Sequence, residues 1–252
     1  MSFYSFATYG VLGSTVIILF FLLMVDAPYG KRDREGWGPA MPIRWSWLLL
    51  EIPSFIVPLC ILLVADTTPG WPGLILIAFW LGHYFHRSFI YPFFSMRPRP
   101  GATFKVLMLV LGAPMNAVIG AMMAMMVLTE PHLQDNAWLL SPPFIAGMVL
   151  CAGGLFLAKW ADAVLLGLRK PGDSSYSIPR GGAYRYISCP NYLGEILQWT
   201  GFALAAYSLA GLAFALYSIA NLLPRALSSH KWYREQFEDY PAQRRAVVPF
   251  VL

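Results

Sequence analysis

Apolar residues fill this chain in long blocks parted by short polar stretches. Neither the two-residue alternation of a half-buried strand nor the single stripe of an amphipathic helix dominates. Seven blocks stand out, at about residues 8–25, 45–64, 71–94, 103–128, 143–168, 191–208 and 210–226. Their length predicts membrane-spanning helices of about 20 residues each. The last two are separated only by Ser208 to Gly211, so they are two short spans or one bent hairpin. Pro53, Pro58 and Pro114 lie inside blocks, which a membrane helix tolerates where a neighbour takes up the freed carbonyl. The first block has no basic leader and reads as a retained span rather than a cleaved signal peptide.

Composition agrees with the pattern. Of 252 residues, 58% are hydrophobic and only 12% charged, about half the charge of an ordinary soluble domain. Disorder is excluded, because it needs the opposite composition. Seven spans use about 140 residues and leave about 110 for loops and tails, so no separate soluble domain fits. The chain is expected to be one all-α, seven-helix membrane domain over residues 1–252. Three cysteines without a CxxC pair supply neither a disulfide framework nor a zinc site.

The basic residues set the topology. Lys31, Arg32, Arg34 and Arg44 lie between the first two blocks, and Arg97, Arg99 and Lys105 follow the third. Arg169, Lys170, Arg180 and Arg185 follow the fifth, and Arg225, Lys231, Arg234, Arg244 and Arg245 lie in the tail. The remaining two of the 18 Lys and Arg, Arg87 and Lys159, fall inside blocks. The opposite loops, around Asp66 and from Glu130 to Asp135, carry no basic residue. The positive-inside rule then puts the C-terminus in the cytoplasm and the N-terminus across the membrane. The net charge of +5 is thereby explained without nucleic acid.

Ionisable groups inside a membrane are costly and mark functional sites. They occur here as Glu51 in LLLEIPSF, His83, His86 and Arg87 in GHYFHRSFIYP, Lys159 and Asp162, and Glu195 with Gln198 in NYLGEILQW. Tyr84, Arg87 and Tyr91 fall at i, i+3 and i+7, on one helix face. A bare Arg87–Glu51 ion pair would leave two His and two Tyr unexplained. A metal site is disfavoured, since the chain holds only four His. Desolvation favours a neutral, hydrogen-bond-donating Glu51, whereas pairing with Arg87 or His83 favours the carboxylate. Asp162 and Arg169 stand seven residues apart, on one face. The stretch RKPGDSSYSIPRGGAYRYISCPNYLGE packs Arg, Lys, Tyr, Asn and paired Gly into one loop, which suits phosphates and an aromatic ring, or anionic lipid headgroups. No GxGxxG follows a strand and no GxxxxGK[ST] occurs, so a nucleotide would sit among helices.

Taken together, LLLEIPSF, HYFHRSFIYP, RKPGDSSYSIPRGG, NYLGEILQWTGFAL and FEDYPAQRRAVVPF resemble, in order and spacing, successive motifs of the steroid 5-alpha-reductase family (3-oxo-5-alpha-steroid 4-dehydrogenases). The resemblance runs from about Tyr29 to the C-terminus and is that of a distant, bacterial relative. It implies an integral multi-pass enzyme, of a bacterial inner membrane or the endoplasmic reticulum, that uses NADPH to reduce the 4,5 double bond of 3-oxo-4-ene steroids. By the resemblance, Glu51 and Tyr84 hold the substrate's 3-oxo group. NADPH contacts fall on His83, Arg87, Tyr91, Arg99, Asp162, Arg169, Tyr176, Asn191, Glu195, Arg225 and Tyr233. No metal is implied. The substrate side is mainly residues 1–128 and the NADPH-binding loops mainly residues 159–252. The partners implied are membrane lipids and a hydrophobic steroid-like substrate entering from the bilayer, with the chain a monomer. Where the mammalian steroid enzymes of the family have Gln just before the motif Glu this chain has Leu50, their Asn four residues before the Asp of the fifth block is Ala158, and their paired His near the tail read Ser228-Ser229, with His230 next.

Three other readings compete. The C-terminal half also resembles isoprenylcysteine-type membrane methyltransferases, but Glu51 and HYFHRSFIYP have no role there. A reductase of another enone or enoyl lipid, of enoyl-CoA or polyprenol type, shares the general plan. A lipid-binding scaffold would not need Glu51, Tyr84, Asp162 and Glu195 buried together.

Overall fold

The computed structural model describes residues 2–25, 36–97, 101–168 and 175–252. Helix α1 (Phe3–Met24) is followed by a short strand β1 (Ala40–Pro42), α2 (Ile43–Glu51) and α3 (Pro53–Val64). Helix α4 (Trp71–Phe85) runs without a break into a π-helix over His86–Ser95. Strand β2 (Thr103–Lys105) leads into α5 (Val106–Thr129), and α6 (Pro142–Gly167) comes after two 3₁₀ turns. A third 3₁₀ turn (Gly182–Arg185) precedes α7 (Pro190–Ala206) and α8 (Leu209–Gln236). The protein is all-helical apart from the small ribbon, in which Met41 lies opposite Phe104.

Local sequence explains the helix ends. Ser141 accepts from Phe144 N at 3.3 Å with prolines filling the first turn of α6, and Ser208 accepts from Gly211 N at 3.0 Å at the start of α8. The last two apolar blocks are two helices, not one bent one. Tyr207, left-handed at φ 43° and ψ 45°, turns the chain between them. Helix α8 extends to Gln236, ten residues past the end of its apolar block, into the basic end of the molecule.

Among the described residues, five helical stretches are long and apolar enough to cross a membrane: Phe3–Met24, Ile43–Val64, Val106–Thr129, Pro142–Gly167 and Leu209–Gln236. Their outer faces carry exposed apolar side chains such as Ile17, Phe20, Leu63, Val110, Val149 and Phe156. Such a surface is tolerable in lipid and not in water. The protein is therefore an integral membrane protein. Helix α4 (15 residues) and α7 (17 residues) are shorter and lie more centrally.

Two packing devices position the polar residues. Helices α6 and α7 meet along small residues: Gly147, Cys151, Gly154 and Ala158 on one, Gly194, Gly201 and Ala205 on the other. A Cβ added at Gly154 would overlap the backbone N of Gln198, and one at Gly194 the backbone N of Ala158. Close backbone approach through small residues is how membrane helices associate where burial gives no driving force. No repeating seam is visible in the apolar pattern, because this one is written in small residues, not large ones. The second device is the ribbon. It starts α2 and α5 side by side, so Glu51 and Asn116 reach similar depths after about 12–15 Å of helix.

The tail is part of the fold. Arg245 N donates to Tyr186 O (2.9 Å), Ser188 N to Arg245 O (2.9 Å) and Cys189 N to Ala246 O (3.1 Å). The C-terminal segment thus pairs with the loop leading into α7.

Candidate active site

Glu51 ends α2 and is buried. Arg87, one residue into the π-helix, donates from Nη2 (2.6 Å) and Nε (3.0 Å) to the same oxygen, Glu51 Oε1. Its Nη1 lies 3.5 Å from Glu195 Oε1 on α7. Glu51 is thus paired with Arg87, but not as an isolated pair. One guanidinium joins a carboxyl from the first half of the chain to one from the second. The guanidinium also lies over Trp47 (5.1 Å to the ring centroid), and the Tyr91 ring packs 5.6 Å from Trp47.

The π-helix alters the expected face. Its wider turn lets Arg87 and Tyr91 share Trp47, while Tyr84, still in α4, turns into the aromatic core. Tyr84 packs 4.6 Å from Trp80 and stacks on Trp199 at 6.2 Å. His83 packs edge-on to Trp199 (4.8 Å). Its Nδ1 accepts from Gln198 Nε2 at 3.0 Å, which puts the proton of a neutral ring on Nε2. Gln198 is fully buried, and its Oε1 has no hydrogen-bond partner. His86 Nδ1 accepts from Lys159 Nζ at 3.0 Å.

The basic end holds a second group. Asn191 Nδ2 donates to Asp162 Oδ1 at 3.3 Å, one turn of α7 away from Glu195. Tyr184 donates to Ala161 O at 3.0 Å; burial, then the Asp162 carboxylate, holds its phenol well above the ordinary tyrosine range, so it stays a neutral donor. Tyr176 meets Trp232 edge-on (4.8 Å), and Tyr233 stacks on Tyr240 (5.5 Å). Arg225 lies on α8 two turns before Tyr233. Arg99 and Arg169 lie outside the described residues.

Of the residues anticipated from sequence, Glu51, Tyr84, His83, Arg87, Tyr91 and Glu195 form one wall around Trp47 and Trp199. Asp162 and Asn191 continue it towards the basic end, where Tyr176 and Tyr233 sit among aromatic rings. Among the described residues no cluster of three His, Cys, Asp or Glu could hold a metal ion.

Arg244 is the residue sequence reasoning missed. It is only 3% exposed, donates from Nη2 to Pro179 O (2.9 Å) and lies over Tyr240 (5.1 Å). Its Nε and Nη1 are buried without a hydrogen-bond partner among the described residues. In FEDYPAQRR it reads as half of a solvated basic pair; only the fold separates it from its exposed neighbour Arg245. A buried cation with two idle donors fits an anionic ligand.

Comparison with known proteins bears on this arrangement. Residues 102–252 match the family described as 3-oxo-5-alpha-steroid 4-dehydrogenase. The chain is 36% identical to the Bos taurus protein named 3-oxo-5-alpha-steroid 4-dehydrogenase 1 over 241 residues, covering 94% of this chain and 92% of that one. It is 38% identical to a Gossypium hirsutum protein named steroid 5-alpha-reductase DET2 over 239 residues, covering 94% and 92%. The corresponding Homo sapiens protein is 34% identical over 229 residues, covering 90% and 86%. These relatives are mammalian and plant, and nothing in them supports the bacterial origin anticipated above. Matching over nearly the full length of both partners, this membrane-embedded oxidoreductase chain belongs to the 3-oxo-5-alpha-steroid 4-dehydrogenase family.

Proposed function

We propose that the protein reduces the 4,5 double bond of 3-oxo-4-ene steroids with NADPH. The observation that carries this reading is the way Glu51 is held. Arg87 donates from both Nε and Nη2 to the one oxygen Oε1, leaving Oε2 for a ligand. A guanidinium facing two carboxyls is electroneutral with one proton on a carboxyl, and a proton on Oε2 makes Glu51 a donor while Oε1 stays an acceptor.

Reducing a conjugated ketone moves negative charge onto the distant carbonyl oxygen, and a site gains most by stabilising that charge as it develops. The Tyr84 O–H and the Oε2 proton of Glu51 donate to the 3-oxo group. A phenol and a protonated acid form the same kind of oxyanion hole in ketosteroid isomerase. When bound, NADPH would supply the hydride to carbon 5, and a proton from water, taken up at carbon 4, would complete the reduction. His83, Arg87, Tyr91 and Glu195 orient the reacting end of the cofactor, and Asp162, Asn191, Tyr176, Arg225 and Tyr233 hold the rest of it. The orphaned Gln198 Oε1 and the idle donors of Arg244 support this fit, the former beside His83 and the latter at the basic end. A 2′-phosphate favours such cations, which is the reason to expect NADPH and not NADH. Arg99 and Arg169 complete the set by family motif.

The membrane arrangement belongs to the same reading. All seven apolar blocks cross the bilayer, with the N-terminus outside and the basic end in the cytoplasm beside its NADPH. The steroid enters sideways from lipid, and the chain works as a monomer.

The test is turnover by the purified protein in detergent, with progesterone or testosterone and NADPH and the product identified by mass spectrometry. The 5α-dihydro steroid is expected. NADPH binding without steroid turnover moves the substrate to another enone or enoyl lipid. Binding of S-adenosylmethionine in place of NADPH overturns the reading.

A further inference from the structure

We infer that Asn116 and Trp80 are positioning residues, two side-chain clamps on one proline kink that together aim Glu51 and Tyr84. The inference rests on the reading of those two residues given above.

The kink begins in the sequence. Pro53 and Pro58 lie five residues apart and neither has an N–H to give. In a regular helix the Ser54 carbonyl would receive the N–H of residue 58, and here that residue is proline. The Trp80 indole takes its place, Nε1 donating to Ser54 O at 2.8 Å. One turn earlier, where α2 gives way to α3 at Ile52, the Leu50 carbonyl receives Asn116 Nδ2 at 2.7 Å. The Ser54 hydroxyl closes the loop by donating to Asn116 O at 3.3 Å. Gly120 lets α5 come this close, since a Cβ there would stand 2.9 Å from Pro58 Cδ and 3.3 Å from Pro53 O.

Both clamps sit next to the residues they aim. Leu50 precedes Glu51, so the bond from Asn116 fixes the peptide from which the carboxyl projects. Trp80 is one turn before Tyr84 and touches its ring. Trp80 and Ser54 are fully buried, so an alternative hydrogen-bond partner from water is out of reach. The consequence is a shared reference point. The carboxyl on α2 and the phenol on α4 are set against the same two carbonyls of one kink, with α5 as the brace. Neither clamp donates to a residue assigned to the cofactor.

The test compares kcat, steroid KM and NADPH Kd for Asn116→Leu, Asn116→Asp and Trp80→Phe with wild type and Glu51→Gln, each per folded molecule after size exclusion. A side chain misplaced by about 1 Å costs up to about a hundredfold in rate, so we expect kcat to fall at least about tenfold in each clamp variant. NADPH Kd stays within about twofold, because neither clamp donates to a residue assigned to the cofactor. Asn116→Asp keeps the size of the side chain but turns an acceptor towards the Leu50 carbonyl, so it carries the test if Asn116→Leu fails to fold. A purely structural role lowers folded yield and Tm and leaves kcat per folded molecule alone; that result, or loss of NADPH affinity in step with kcat, overturns the inference. If Glu51→Gln retains full turnover, the reading of Glu51 falls and takes this inference with it. If Glu51→Gln is inactive while Asn116→Leu is normal, only this inference falls.

Discussion

The α6–α7 pair and the α2–α3 kink braced by α5 both bring polar residues to the middle of a membrane protein, by opposite means. Along α6–α7 the backbones touch, and the contact is made by residues that have almost no side chain. At the kink the backbone is broken by proline, and the contact is made by side chains that donate to its carbonyls. The first arrangement is rigid and has no adjustable part, so it suits a framework that keeps Asp162 against Asn191 and Glu195 in reach of Arg87. The second lets a carboxyl leave the helix axis at an angle no regular helix provides. A contact between backbones fails as a whole, whereas a contact made by hydrogen bonds fails locally.

The comparison predicts a ranking of damage. Gly154→Leu should be the most severe, because its Cβ would overlap the backbone of Gln198 and Gly194, which cannot step aside. We expect a loss of more than about 4 kcal/mol and little or no folded protein by size exclusion, since overpacking against backbone has no cheap relaxation. A folded, active Gly154→Leu protein would break the contrast. Tyr84→Phe removes one oxyanion donor and keeps the ring against Trp80 and Trp199. The expected loss is about a hundredfold in kcat with Tm and NADPH Kd unchanged, read by steady-state kinetics beside fluorescence titration.

Arg244→Gln sharpens the contrast at the basic end. If its idle donors meet the anionic cofactor, NADPH Kd should weaken about tenfold or more, since a charge-assisted hydrogen bond is lost there. The steroid KM should hold. The mildest change is Arg180→Ala. Its bond to Asp239 is 2.7 Å long, but the two side chains are 64% and 68% exposed. An exposed pair contributes little, so kcat, KM and Tm should match wild type within error.

How much of this was legible in the sequence differs between the two regions. The apolar blocks marked the helices well, because length and lack of charge suffice to identify a span. Glu51, Arg87 and Glu195 stood out because charge inside an apolar block is conspicuous. The helix face of Tyr84, Arg87 and Tyr91 was only half legible, since counting assumes 3.6 residues per turn and the chain rewinds into a π-helix at His86. The prolines announced freed carbonyls but not their partners. Asn116 sits as a single polar residue in a long apolar block, and Trp80 looks like any other core aromatic. The α6–α7 seam stayed hidden because small residues leave no trace in a pattern of large apolar ones. Arg244 was hidden by Arg245 beside it, because two adjacent basic residues look alike until a fold buries one of them.

The central claim is that Glu51 polarises the substrate's oxo group and takes no part in holding the cofactor. The direct measurement is Glu51→Gln, with steroid turnover followed by mass spectrometry and NADPH Kd measured on the same preparation. The account predicts that the 5α-dihydro product disappears while NADPH binds as tightly as to wild type. Retained turnover, or NADPH affinity lost together with it, would contradict the account.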